Sequence, residues 1–271
     1  MTTHVHPTAV VDARARLASG VRVGPHAVIG AEVEIGEDSE IGAGAVVLGP
    51  STLGRENRIF PHSCIGFEPQ DLKFHGERTT LEIGDRNQFR EFSTVHRGTG
   101  SGGGLTRVGS DGLFMAYTHI AHDSWVGDRV IFANNATLAG HVRVDDDASV
   151  GALTAVHQFC RVGRHAYIGG YSVITQDALP FVKTVGVKPA FYGLNRIGLE
   201  RKGVPAETIE RLEVAVRRLS RSRQPLDEML ASLRTEFPDD ADVAYLVDFV
   251  ESAQRGVIRA LPGRKASNRG G

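Results

Sequence analysis

An aliphatic residue or Phe recurs at every sixth position of this chain from Val5 to Ile174. The first run is Val5, Val11, Leu17, Val23, Ile29, Ile35, Ile41, Val47, Leu53, Ile59 and Ile65. The beat returns at Ile83, Phe89 and Val95, then resumes one residue out of step at Val108 and holds through Phe114, Ile120, Val126, Phe132, Leu138, Val144, Val150, Val156, Val162, Ile168 and Ile174. A helix needs apolar residues at three- and four-residue spacing, and a half-buried strand alternates them. A period of six instead fits a short strand, a corner and a repeat, with one aliphatic turned inward on each flat face. Small or β-branched residues four positions on, such as Ala27, Ala45, Ser63, Thr118 and Ala136, suit a crowded corner. Gly often follows the aliphatic directly, as at Gly30, Gly36, Gly127 and Gly169, and is expected to supply positive φ at the corners. Three faces close an 18-residue triangular coil, so the 26 hexads make about nine coils of a parallel β-helix. Coils stack about 4.8 Å apart. Inside an uninterrupted run, residues 18 apart therefore lie above one another.

Three features break the prism. Residues 67–80 and the Gly-rich residues 97–107 interrupt the beat and are expected to protrude as loops. No helix follows the second, so it is no dinucleotide-binding fingerprint. Beyond Pro180 the spacing becomes helical. Ile209, Leu212, Val216 and Leu219 form one stripe after Pro205; Leu226, Met229, Leu230 and Leu233 form a second, and Leu246, Val247, Phe249 and Val250 a third. This divides the chain into a β-helix at 1–190, a helical domain at 191–261 and a disordered polar tail at 262–271.

With 271 residues, 41% of them hydrophobic, the chain can bury a full core. A net charge of −1 gives no case for nucleic-acid binding. No run of 18 or more apolar residues is present and the N-terminus lacks the apolar core of a signal peptide, so a soluble, cytoplasmic protein is expected. Two cysteines are too few for a disulfide framework, and Cys64 and Cys160 read as packing residues. A single prism offers no deep cavity, so a binding site needs a second wall from loops or from another copy; a cyclic homo-oligomer is expected.

Against this scaffold one polar cluster stands out. His119 and His122 lie three apart with Asp123 adjacent, and the 18-residue ruler stacks His122, then Gly140-His141, then His157-Gln158 along one strip. A neutral His is a capable general base for a sugar hydroxyl, and a carboxylate beside it can orient it. The Gly140 N–H can stabilise an oxyanion from the next coil. Each His alone reads as a turn residue kept for packing or hydrogen bonding; the stacked set points to chemistry. His119, His122 and His141 also imitate the three zinc ligands of the γ-class carbonic anhydrases. The 67–80 loop and the C-terminal helices do not fit that family, and no metal site is assigned.

The residues then become more specific. Gln70-Asp71-Leu72-Lys73, Ile83-Gly84-Asp85-Arg86-Asn87, His96-Arg97-Gly98-Thr99, Gly103-Gly104-Leu105-Thr106, His119-Ile120-Ala121-His122-Asp123, the segment 133–141, Thr154–Cys160 and Arg255–Arg259 resemble, over nearly the whole chain, the acyl-carrier-protein–UDP-N-acetylglucosamine O-acyltransferases. These enzymes begin lipid A synthesis in Gram-negative bacteria. The resemblance implies a mainly β fold, a left-handed parallel β-helix with a C-terminal helical domain. It implies a cytoplasmic homotrimer with sites between adjacent prisms. The reaction would move an (R)-3-hydroxyacyl group from acyl carrier protein to the glucosamine 3-hydroxyl of UDP-N-acetylglucosamine. His122 would be the general base with Asp123 beside it, and the Gly140 N–H would polarise the thioester carbonyl. Asp71, Lys73, His119, His141, His157 and Gln158 would line the cleft, Asn195 and Arg201 would hold the nucleotide, and Gly170 would end a long acyl pocket. No metal or cofactor is required, since the donor is carried on the carrier protein's phosphopantetheine. The chain departs from some members at Ile197, where they carry Glu, and Glu200-Arg201-Lys202 is less basic than usual. The acyl length, and a 3-amino acceptor in place of the 3-hydroxyl, stay open. The related N-acyltransferases carry an extra N-terminal domain, whereas the hexads here start at Val5. Acetyl-CoA-dependent hexapeptide enzymes are not expected to share the 70–73 loop, and a purely structural prism would not need His122.

Overall fold

The computed structural model describes residues 2–221 and 224–260. The expected tail at 262–271 lies outside them. The hexads form short strands, most of two residues, that stack into three sheets of 11, 9 and 8 strands among the described residues. The pairing is parallel from coil to coil and follows the 18-residue ruler: Val5 pairs with Val23, Ile120 with Leu138, and Leu138 with Val156. The beat residues fill the interior. Ile29, Leu53, Ile65, Phe89, Phe114, Ile120, Leu138 and Ile168 are all buried, and Phe89 stacks on Phe114 with ring centroids 4.6 Å apart. The small residues four positions on are buried too.

The corner glycines act differently from the expectation. Positive φ falls on the third residue after most inward aliphatics, and most residues there are not Gly: Asp38, His62, Asp123, Asn135, His141 and Phe159 all sit near φ 54–63°. The Gly directly after the aliphatic answers close approach instead. A Cβ on Gly36 would lie 2.5 Å from the carbonyl carbon of Gly54, one coil away. The coil spacing leaves no room there for a side chain. Asp, Asn and His tolerate the left-handed conformation better than most residues, and the corners use them with larger side chains that stack along the edge.

The excursions are shorter than the gaps in the beat. Phe67 ends the strand Cys64–Phe67, Thr80 opens the strand Thr80–Ile83, and Leu105, Thr106 and Arg107 belong to the strand Leu105–Val108. Pairing steps over both excursions, joining Ile59 to Phe89 and Val95 to Ile120. The Gly-rich segment folds tightly, with a 3-10 turn at Gly100–Gly102.

After Ile174 a strand at Val182–Val185 still pairs with the prism, and Ala190–Leu194 returns antiparallel to it. Four helices follow: α1 (Arg196–Arg201), α2 (Ala206–Arg221), α3 (Leu226–Glu236) and α4 (Ala241–Glu251). Their stripes form a second core around Leu199, Leu212, Leu230, Leu246 and Phe249; Leu226, expected in the stripe of α3, is exposed. Arg161 fastens α4 to the prism. It pairs with buried Asp177 at 2.7 Å, donates to the Phe249 carbonyl and lies over the Phe249 ring. The chain then returns, and Ile258 joins the prism core.

Candidate active site

Asp123 occupies one of the left-handed corners, at φ 58°, and its carboxylate is buried. His122 Nδ1 lies 2.7 Å from Asp123 Oδ2. An ionised carboxylate only accepts, so this contact makes Nδ1 the protonated nitrogen and leaves Nε2 free to take a proton. On the next coil, His141 crosses the His122 ring edge-on at 5.2 Å, with its Nε2 3.8 Å from Asp123. Gly140 lies under His122 so closely that a Cβ there would be 2.5 Å from His122 Cε1. Among the described residues, the Gly140 N–H has no carbonyl partner in the coil ladder.

His119 is on the strand His119–Ile120, with Nδ1 2.7 Å from Thr94 Oγ1. Buried His96 meets it edge-on at 5.1 Å. Burial, then the neighbouring His122 charge, holds the His119 pKa below the ordinary histidine value. Burial lowers His141 as well, against the opposing pull of Asp123. His96 is pushed down to about 4 by burial and by the charges of His119, His122 and Arg97.

His122, His141, Gln158 and Phe159 form one wall of a cleft of about 640 Å³, faced by Gln70, Asp71 and Lys73 of the first excursion and Ser101 and Gly102 of the second. The excursions are tied together: the Glu77 carboxylate accepts from the N–H groups of His75 and Gly100 at 2.8 and 3.0 Å.

The expected residues do not all converge. The ruler resolves into two columns, His122–Gly140–Gln158 and Asp123–His141–Phe159, and His141 stacks on Phe159 at 4.5 Å. Counting 18 from His141 reaches Phe159, so that signal was present in the sequence. His157 belongs to neither column; it is exposed and its Nδ1 contacts the Gln158 carbonyl. Gly170 lies one coil from Ala152 at another edge of the prism, where the Tyr171 N–H donates to the Ala152 carbonyl. Asn195 donates to the His165 carbonyl at the third edge, and exposed Arg201 follows it on α1. Thr99, Ser101 and Gly102 were not expected. Their placement depends on how the excursion folds back, which the period of six does not encode.

His122, Asp123 and His141 are near enough to bracket a cation, whereas His119 is not part of that group. Asp123 Oδ2 already receives His122 Nδ1 and the Thr99 hydroxyl, so the donor set is arranged for proton handling. Neither cysteine is a nucleophile candidate. Cys160 is fully buried and its thiol is pushed up to about 11, and partial burial raises Cys64.

A family model described as UDP N-acetylglucosamine O-acyltransferase, domain 2, matches residues 177–258. The acyl-[acyl-carrier-protein]–UDP-N-acetylglucosamine O-acyltransferase of Stenotrophomonas maltophilia K279a is 48% identical over 94% of this chain and 97% of its own length. The protein of the same name from Thiobacillus denitrificans is 49% identical over 94% and 99%. This chain belongs to that family. Among solved structures, the UDP-N-acetylglucosamine O-acyltransferase of Moraxella catarrhalis superposes with a TM-score of 0.91 at 37% identity, covering 94% of this chain and 99% of that one. The Francisella novicida UDP-N-acetylglucosamine acyltransferase gives 0.91 at 33% identity, covering 94% of each. With these relatives the chain shares the left-handed parallel β-helix and C-terminal helical region.

Proposed function

We propose that this chain transfers an (R)-3-hydroxyacyl group from acyl carrier protein to the 3-hydroxyl of UDP-N-acetylglucosamine, the first step of lipid A biosynthesis. Family membership supports the activity, and the 2.7 Å His122–Asp123 contact over the bare backbone of Gly140 carries the mechanism. His122 Nε2 removes the proton as the sugar oxygen attacks the thioester carbonyl. The oxyanion forms against the Gly140 N–H. Its collapse expels the phosphopantetheine thiolate, which takes the proton back from His122. Asp123 stabilises the imidazolium between the two transfers.

His141 lines the cleft while His119 stands outside the lining this chain supplies, and burial lowers the pKa of both, which favours neutral rings that donate to or accept from substrate. Asp71 and Lys73 reach across the cleft, and Gln158 extends it by one coil. Gly170, Asn195 and Arg201 lie at the other edges of the same prism, and His157 beside the cleft. Their substrate roles therefore require a neighbouring copy, and the reading is a homotrimer with three composite sites. Fully exposed Leu72, beside Asp71, and the stacked, exposed Phe92 and Tyr117 supply apolar surface for such contacts. Gly170 leaves the acyl pocket open for a long chain. No metal or cofactor enters the scheme. Among the described residues no helix is long and apolar enough to cross a membrane, and the reading places the enzyme in the cytoplasm, where acyl carrier protein is available.

The test supplies purified protein with UDP-N-acetylglucosamine, or its 3-amino analogue, and 3-hydroxyacyl carrier proteins of graded length. Transfer is expected with at least one length and lost in His122→Ala. No transfer with any donor would sink the function, and a fully active His122→Ala would sink the mechanism.

A further inference from the structure

We propose that Thr99 is a positioning residue for the transfer: from inside the second excursion it grips both oxygens of Asp123 and so fixes the partner that holds His122. This rests on the reading of His122 as the base. The Thr99 N–H donates to Asp123 Oδ1 at 2.9 Å and its hydroxyl lies 2.7 Å from Oδ2. An ionised carboxylate only accepts, so at 2.7 Å the Thr99 hydroxyl donates to Asp123, while Thr99 Oγ1 itself accepts the Gly102 N–H at 3.1 Å and lies 3.3 Å from Ser101 Oγ. Thr99 is 1% exposed, so water cannot replace it.

The surrounding loop is moulded to the same carboxylate. A Cβ on Gly102 would lie 2.2 Å from Asp123 Cγ, and one on Gly98 2.8 Å from Oδ1. The Asp123 N–H is held by Thr106 Oγ1 at 2.8 Å. Glu77 anchors the next residue, Gly100, to the excursion that carries Asp71 and Lys73. With both oxygens committed, the carboxylate cannot rotate, and the proton on His122 Nδ1 stays where it directs Nε2 into the cleft. The two donors also spread the negative charge of Asp123, which limits how strongly it stabilises a charged His122.

Removing the hydroxyl leaves His122 as the hydrogen-bonding partner of Oδ2, with His141 Nε2 3.8 Å away, so Asp123 holds the imidazolium more tightly. The charged and titratable groups facing this pair are His96, His119, His141, Asp71 and Lys73, and none is altered by a change at Thr99. In full-length Thr99→Val, kcat is expected to fall roughly tenfold with the KM for the nucleotide sugar within about twofold of wild type, as for loss of an outer partner that orients a reacting group. The acid limb of the kcat/KM pH profile should move to higher pH, because His122 must be neutral to act. Thr99→Ser keeps both donors and should restore kcat and profile. A merely structural role would lower the thermal midpoint and the amount of active protein without moving the pH limb. Wild-type kcat and profile in Thr99→Val, with His122→Ala inactive, would overturn this proposal and leave the base intact. A Ser variant as impaired as Val would overturn it too, and that comparison holds even if Val folds poorly. Full activity in both Thr99→Val and His122→Ala would instead point to failure of the underlying mechanism.

Discussion

Gly140→Ala separates geometry from composition at the reacting centre. The new Cβ would lie 2.5 Å from His122 Cε1 and 2.7 Å from Nε2. Carbon atoms in contact need about 3.5 Å, so the imidazole must retreat by about 1 Å. The obstacle is the far end of a side chain, and Gly140 is not among the positive-φ residues, so the coil can keep its fold. The backbone N–H at 140 survives the substitution, which leaves displacement of the base as the main lesion. A 1 Å misplacement of a reacting group costs about 100-fold in rate. The expected result is a kcat about 100-fold lower, with a thermal midpoint close to wild type and KM little changed. Steady-state transfer from a 3-hydroxyacyl carrier protein reads the first and third quantities, and circular dichroism the second. A Gly140→Ala enzyme with wild-type kcat would refute the claim that His122 must occupy this position.

Other consequences can be checked separately. His96 has a folded-state pKa of about 4, below its ordinary 6.5, so between those values the unfolded chain binds a proton that the native state refuses. Stability should therefore fall as pH drops from 6.5 to 4, by about 3 kcal/mol at most, and level off below. Denaturant midpoints against pH should show a shallower slope in His96→Phe; an unchanged slope removes His96 as the cause. Arg161→Ala takes the cation from buried Asp177, whose Oδ1 keeps only the backbone N–H of residue 161, and frees the Phe249 carbonyl, and should cost about 3 kcal/mol in chemical denaturation; a loss under about 1 kcal/mol would show the clamp to be incidental. Lys73→Ala should raise KM while leaving the thermal midpoint unaltered, because its side chain lines the cleft without a described protein partner; an unchanged KM would remove Lys73 from substrate contact.

Much of the site was legible before the fold was known, because the ruler of 18 is physical. Parallel pairing puts Ile120 against Leu138 and Val156, and the corners beyond them inherit that register. This is why His122, Gly140 and Gln158 were aligned correctly. The ruler fails at the two excursions, where pairing skips the inserted residues and the returning chain is placed by its own turns. Thr99 and Glu77, which hold Asp123 and join the two loops, lie there. His157 stands outside the cleft lining of its own chain for a different reason: its neighbour Gln158 occupies the corner position that faces the cleft.

The sequence alone determined the prism, its coil count and the inward residue of each face, since a strict period of six fits two-residue strands joined by tight corners and fits neither a helix nor an alternating strand. It also pointed to helices beyond Pro180, although the strands Val182–Val185 and Ala190–Leu194 come first and α1 begins only at Arg196. Tertiary structure decided what depends on distances between coils and loops. Glycines were needed for close approach, while Asp, His and Phe took the left-handed corners. The carboxylate beside His122 was clamped by an excursion whose path the repeat does not encode. Handedness also lay beyond the sequence, because an inward aliphatic every six residues satisfies either hand and only packing of the closed coil selects one.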